Sequence, residues 1–273
     1  MRFDAHQHFW NPERLHYPIL SPEVFGELYR TIEPPELEPL LREAGVDGTV
    51  VVQAKDGLDE TEYLLELADR HPWIAGVVGW VDLASPEQAA SQLAAFGRHP
   101  KFKGVRHLIM VEPDPDWLVR PDVVEGLRVL AASGFPFDAG AEFPKHLRHV
   151  ETIARAVPRL KIVIDHLGRP PVGTPDMAAW EAELARAAAF PNVYCKLSGL
   201  SVADPAGPAE AAVRTALRLF GARRLMLGSD WPISNPGLAY GEALDRLIRA
   251  AGGLSPEELD ALLGGTAKAF YRL

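Results

Sequence analysis

Met1-Arg2-Phe3-Asp4-Ala5-His6-Gln7-His8 opens the chain, and Arg224-Leu225-Met226-Leu227-Gly228-Ser229-Asp230-Trp231-Pro232 carries its last strongly apolar run. On a β-strand, side chains two apart share a face, so the imidazoles of His6 and His8 stand side by side with Gln7 turned away. That is half of a metal or catalytic site. The second stretch reads as a buried strand ending abruptly on a carboxylate, Asp230, as the first ends on histidines.

Six more strand-like runs lie between these two. The eight expected strands are Phe3 to His8, Gly48 to Lys55, Ile74 to Leu83, Phe102 to Ile109, Phe135 to Glu142, Lys161 to Leu167, Asn192 to Leu197 and Arg224 to Asp230. They alternate with amphipathic stretches: Pro35 to Ala44, Glu60 to Arg70, Pro86 to Phe96, Pro121 to Ala132, His146 to Ala156, Met177 to Ala189, Pro208 to Phe220 and Leu238 to Ala251. Within these, apolar residues recur at helical spacing, as in Leu64, Leu65, Leu67 and Ala68. Ser85-Pro86-Glu87 and Asp59-Glu60-Thr61 read as helix starts. Ser255 to Phe270 reads as a further capped helix packing on the closing unit. Strands separated by helices pair in parallel, and eight such units make an α/β fold, a (β/α)8 TIM barrel. The 273 residues fit one such domain of about 250 residues, with no linker or low-complexity tract to divide 1–273.

Composition removes several classes of function. A formal net charge of −9 without a Lys/Arg cluster argues against a nucleic-acid partner. The single Cys195, inside an apolar strand, excludes a disulfide framework or a Cys-based zinc site and reads as a buried, inert thiol of a reducing compartment. No leader-like segment opens the chain, and no run approaches the roughly 18 apolar residues of a membrane span. A cytoplasmic protein with no membrane partner is expected.

In an eight-fold barrel, chemistry sits where the strands end, because the loops that follow them form the active face. The expected strand tips carry His6 and His8, Gln53, Arg106 and His107, Glu142, His166, Lys196 and Asp230. A strand chosen only for packing has no need of a polar tip, and here nearly every strand has one.

These residues carry a family resemblance. The chain resembles the amidohydrolase superfamily, of the amidohydrolase-2 type, and within it the branch of sugar-lactone hydrolases similar to fuconolactonase and rhamnonolactonase. The resemblance rests on Asp4-Ala5-His6-Gln7-His8-Phe9-Trp10, Gly104-Val105-Arg106-His107, Ile164-Asp165-His166-Leu167-Gly168, Cys195-Lys196-Leu197-Ser198-Gly199 and Gly228-Ser229-Asp230-Trp231-Pro232. It implies a barrel, ester chemistry on a lactone ring, Asp230 as the proton-handling carboxylate, and His6, His8 and Asp230 around any metal. One departure stands out. Metal-dependent members usually place a histidine at the fifth strand tip, where this chain reads Asp138-Ala139-Gly140-Ala141-Glu142. His6, His8 and Asp230, joined by His166 or Glu142, remain to hold an ion, and the expectation is one divalent ion, zinc before others, that is not essential for turnover.

Opening a ring ester needs a water nucleophile, a base, and groups aimed at the oxygen that gathers charge. The expected assignment makes Asp230 the base, with His166 and Arg106 polarising the carbonyl. Gln53, His107, Glu142 and Lys196 hold ring hydroxyls, and Trp10 and Trp231 wall the sugar. Two rivals stand beside this reading. A metal-dependent decarboxylase of an unsaturated or aromatic acid needs a firm zinc site. A non-catalytic barrel binding sugar acids or a protein partner needs no base, electrophile and ligand together.

Overall fold

The computed structural model describes residues 1–201, 209–235 and 237–273. Eight strands form one parallel sheet in chain order: β1 (Phe3–Gln7), β2 (Gly48–Val52), β3 (Ile74–Gly79), β4 (Phe102–His107), β5 (Phe137–Ala139), β6 (Ile162–Ile164), β7 (Val193–Leu197) and β8 (Leu225–Leu227). The sheet comes round on itself just past the strand ends, where His8 N donates to Trp231 O at 2.8 Å and Asp230 N donates to His6 O at 2.8 Å. This is the expected barrel.

A short helix α1 (Pro22–Phe25) lies in the loop after β1, and α2 (Pro34–Ala44) leads to β2. Then follow α3 (Leu58–Arg70), α4 (Pro86–Phe96), α5 (Pro121–Ala132), α6 (Leu147–Ala156), α7 (Met177–Ala188), α8 (Ala209–Phe220) and α9 (Tyr240–Ala251). Proline sits in the first turn of α2, α4 and α5, where its missing N–H has no helical acceptor to lose. Pro208, the expected start of α8, lies outside the described residues. No helix among the described residues is long and apolar enough to cross a membrane.

Three local expectations need correction. The strands are shorter than their apolar runs, most clearly β5, because apolar residues continue into the loops that close the active face. Asp59-Glu60-Thr61 lies inside the first turn of α3 rather than before it; Glu60 bends back to accept Ala54 N at 3.0 Å and Lys55 N at 2.8 Å. The C-terminal helix is not continuous. After α10 (Pro256–Asp260), which begins with the expected Ser255 capping box, a π-helical turn (Ala261–Gly265) precedes α11 (Thr266–Tyr271). A Cβ on Gly264 would come within 3.1 Å of Met1 O, so the turn seats its bare backbone against the start of β1.

Two apolar layers follow from strand alternation. Outward residues such as Val51, Val77 and Val105 pack against the helices. Inward residues Val50, Val52, Val78, Val163 and Met226 fill the barrel floor, closed by Phe270 and Tyr271 of α11. β1 breaks the alternation: its register shifts between Asp4 and Gln7. Asp4 and Gln7 bond outside the barrel, to Ser229 and Thr49, while His6 and His8 meet inside it.

Candidate active site

The C-terminal end of the barrel gathers four ligand-type atoms around one spot. His6 Nε2 and His8 Nε2 are 3.1 Å apart. Asp230 Oδ1 lies 3.3 Å from His8 Nε2, 3.7 Å from His6 Nε2 and 3.8 Å from His166 Nε2. All four residues are buried. Asp230 Oδ1 is itself a buried oxygen with no hydrogen-bond donor, whereas Oδ2 accepts from Ser234 Oγ at 2.7 Å. Ligands held about 2.1 Å from a tetrahedral ion stand roughly 3.4 Å from one another. The spacings here and the orphaned oxygen fit one divalent ion, and His6, His166 and Asp230 form the compact metal-type group. His166 thus joins the expected trio of His6, His8 and Asp230. The fifth strand supplies no ligand, since Glu142 stands at the mouth and pairs with Arg169 Nε at 2.7 Å.

Backbone geometry delivers His166. Residues His166, Leu167 and Arg169 take φ of 54°, 54° and 53°, with Gly168 at 67°, a left-handed turn directly after β6. Non-glycine residues enter this region at about 1 kcal/mol or more each, so surrounding packing enforces the turn. His166 Nδ1 meets Ser198 Oγ at 2.9 Å. A Cβ on Gly199 would fall 2.4 Å from that nitrogen, so the glycine after Ser198 leaves the ring its space.

Asp4 anchors both ends of the barrel seam. Its Oδ1 accepts from His6 N at 3.1 Å and Ser229 N at 2.9 Å, and Oδ2 accepts from Ser229 Oγ at 2.6 Å and Tyr240 OH at 2.8 Å. One carboxylate therefore couples the bulge that aims His6 to the loop that aims Asp230.

Beneath the imidazoles lies a buried charge layer. Lys196 Nζ donates to Asp138 Oδ2 at 2.5 Å and contacts His6 Nδ1 and Asp165 Oδ1, each at 3.1 Å. Asp165 Oδ2 accepts from Arg106 Nε at 2.9 Å, and Arg106 Nη1 donates to Gln53 O at 3.1 Å. Tyr271 OH reaches up from α11 to Asp138 Oδ2 at 2.7 Å. Burial raises Asp138 to about 6; Lys196 opposes that rise and Asp165 adds to it. Burial also opposes charge on Asp165, yet Lys196, His6 and Arg106 outweigh it and hold Asp165 well below the usual carboxylate range. For Asp230, burial is outweighed by the three histidines around it, which keep the carboxyl below its ordinary value. Burial pushes His166 down to about 4 and takes His6 well below the usual range, so both rings are neutral at pH 7.

The structure thus brings together His6, His8, His166, Asp230 and Arg106. A narrow depression above them is lined by Arg106, Gly140, Glu142, Asp165, His166 and Arg169, among others. Other expected contacts are elsewhere. Lys196 is fully buried beneath His6 and cannot touch a sugar hydroxyl. Gln53 is fully buried, and its amide N–H groups donate to Asp56 Oδ1 and Arg106 O. His107 points away from Arg106, as strand neighbours do: it stacks on Trp117 at 3.8 Å, accepts Trp80 Nε1 and meets Glu112 at 2.7 Å. Trp10 is sealed among Tyr17, Leu20, Ile32 and Ala54, with its N–H on Leu28 O. Trp231 is half-buried and packs edge-on to Phe9 at 6.0 Å. Asp165, Asp138, Ser198 and Ser234 were not expected. The available signal was a charged residue interrupting an apolar strand, as at Asp138 and Asp165.

The amidohydrolase family model matches residues 3–273. The chain belongs to the amidohydrolase family. An L-fucono-1,5-lactonase of Burkholderia ambifaria is 39% identical to this amidohydrolase, covering 100% of this chain and 96% of that protein. An L-fucono-1,5-lactonase of Burkholderia multivorans is 36% identical, with the same coverage of 100% and 96%. Among solved structures, an amidohydrolase from Burkholderia multivorans with bound zinc superposes with a TM-score of 0.87 at 34% identity, covering 100% of this chain and 99% of that one.

Proposed function

We propose that this amidohydrolase is a lactonase that opens the ring ester of a six-membered sugar lactone, L-fucono-1,5-lactone or a near stereochemical relative. The reading is carried by the likeness, over the whole chain, to two proteins that bear that activity in their names. The site chemistry supports it. Asp230 is ionised at neutral pH, with Oδ1 unpartnered and Oδ2 fixed by Ser234, so it stands ready to take a proton from water as that water bonds to the carbonyl carbon. The same carboxyl then returns the proton to the departing ring oxygen. Neutral His166 serves as a donor toward the carbonyl oxygen through Nε2 when Ser198 Oγ donates to its Nδ1. Arg106, oriented by Asp165 and Gln53, adds positive charge from the mouth side, where it lines the depression together with Gly140. We assign contact with ring hydroxyls to Glu142 and Arg169, which pair with each other at the mouth.

His6, His8 and Asp230, with His166 beside them, would hold one divalent ion, zinc as in the related Burkholderia multivorans structure. Such an ion supplies Lewis acidity at the carbonyl and a more acidic water. Because Arg106 and His166 already supply electrophilic groups, substantial turnover without metal is part of the proposal. The test is proton release from a panel of five- and six-membered aldonolactones, with and without chelator. A panel that releases acid no faster than the uncatalysed reaction, while an unsaturated acid loses carbon dioxide, replaces this reading with the decarboxylase one.

A further inference from the structure

Lys196 bears on the metal reading in a way its burial alone does not reveal. An ammonium has three donors and no lone pair, so at 3.1 Å from His6 Nδ1 it is the donor and Nδ1 the acceptor. A neutral His6 ring then carries its proton on Nε2. His8 completes the pattern: Nδ1 donates to Val52 O at 2.8 Å, which leaves Nε2 bare and able to accept His6 Nε2–H at 3.1 Å. The hydrogen bonds therefore close on themselves where metal-ligating lone pairs would have to converge. The alternative proton position is also built. Asp165 Oδ1 stands 3.3 Å from His6 Nδ1 and is fully buried, with the Lys196 ammonium 3.1 Å away as its only other close partner among the described residues. With Nδ1–H turned to Asp165, His6 Nε2 would be free to bind an ion, the usual partnership of carboxylate, histidine and metal.

We infer that Lys196 restrains metal binding: by donating to His6 Nδ1 it holds the ring in the tautomer that cannot ligate, in competition with Asp165, which favours the tautomer that can. The inference rests on the metal reading given above. A buried cation beside the ligand shell repels a dication as well, so both effects act in one direction. Asp138 and Tyr271 keep the ammonium in place from below.

The experiment compares the metal-stripped wild type with Lys196→Met, Lys196→Met/Asp138→Asn, Asp165→Asn and His6→Asn. Zinc affinity is read by competition with a chromophoric chelator, and histidine tautomers by NMR of 15N-histidine-labelled protein, with His6→Asn assigning the His6 signals. Lys196→Met should bind zinc on the order of 10- to 100-fold tighter, the scale on which residues behind a ligand tune a metal. The double variant removes a buried ion pair together, which proteins tolerate better than removal of one partner, and it leaves the local net charge unchanged. It should still bind tighter than wild type, because release of Nδ1 does not depend on net charge. Asp165→Asn should bind more weakly. Wild-type His6 should show its proton on Nε2, and this measurement decides even if the Lys196 variants fail to fold. Equal zinc affinities across wild type and both Lys196 variants, or a wild-type proton on Nδ1, would overturn the inference. If no protein binds zinc and His6→Asn changes nothing, the metal reading falls and the inference with it, while lactone hydrolysis stands untouched.

Discussion

Asp230→Asn tests the proposed chemistry most directly, because the side chain keeps its shape and loses only charge and basicity. The amide oxygen can still accept from Ser234 Oγ, now 2.7 Å from Oδ2. The amide nitrogen then takes the place of Oδ1, which lies 3.3 Å from His8, 3.7 Å from His6 and 3.8 Å from His166. A carboxylate that accepts and returns the reacting proton contributes about 10²-fold or more, roughly 2.7 kcal/mol of barrier. Turnover should fall by at least that factor, with KM little changed. Stability has a predictable pH dependence. The folded carboxyl is held below its ordinary value, so it binds protons less readily folded than unfolded. Its contribution is therefore present above the unfolded pKa of about 3.9 and is lost as pH falls through and below it. Wild type should be more stable than Asp230→Asn at pH 7 by about 1.5–3 kcal/mol, the range for a charged hydrogen-bonded group, and the gap should narrow progressively below about pH 4. Proton release with a pH indicator gives turnover, and urea denaturation at pH 7, 5 and 3.5 gives stability. Near-normal turnover, or a stability gap that widens in acid, refutes the reasoning.

Gly199→Ala should lower turnover at least tenfold and shift KM less, because its Cβ would displace His166 at 2.4 Å and its backbone would be strained at φ +64°; lactone kinetics on folded variant measure it. Glu60, pushed up to about 8 by burial, binds its proton more tightly when folded, so wild-type stability should fall as pH rises from about 4.5 to 8. Glu60→Gln should lack that decline, and denaturation midpoints across this range should separate progressively in its favour. Removal of metal by a chelator should leave substantial lactone turnover; complete loss, restored by zinc alone, would make the ion essential. Lys196→Ala should destabilise the fold by several kcal/mol, about 3–5 for one partner lost from a buried ion pair, which thermal unfolding will report.

Much of this protein is written locally in its chain. The eight parallel strands were legible because each is a short apolar run between amphipathic stretches, and hydrophobic period is a local property. His6, His8, His166 and Asp230 were legible because a polar group at the end of a buried strand has no packing reason to be there. What the tertiary structure alone decided is where each side chain points. The β1 bulge, the left-handed turn at His166 and the absent Cβ of Gly199 aim the imidazoles, and none of these shows in hydrophobic period. Lys196 and Asp138 lie 58 positions apart, and Tyr271 is 133 positions from Asp138, yet they form one buried network. From sequence, Lys196 at a strand end reads as a hand for substrate; only barrel closure surrounds it with carboxylates and an imidazole. A buried charge is tolerated only with its partners, and partners this distant in the chain are chosen by the fold.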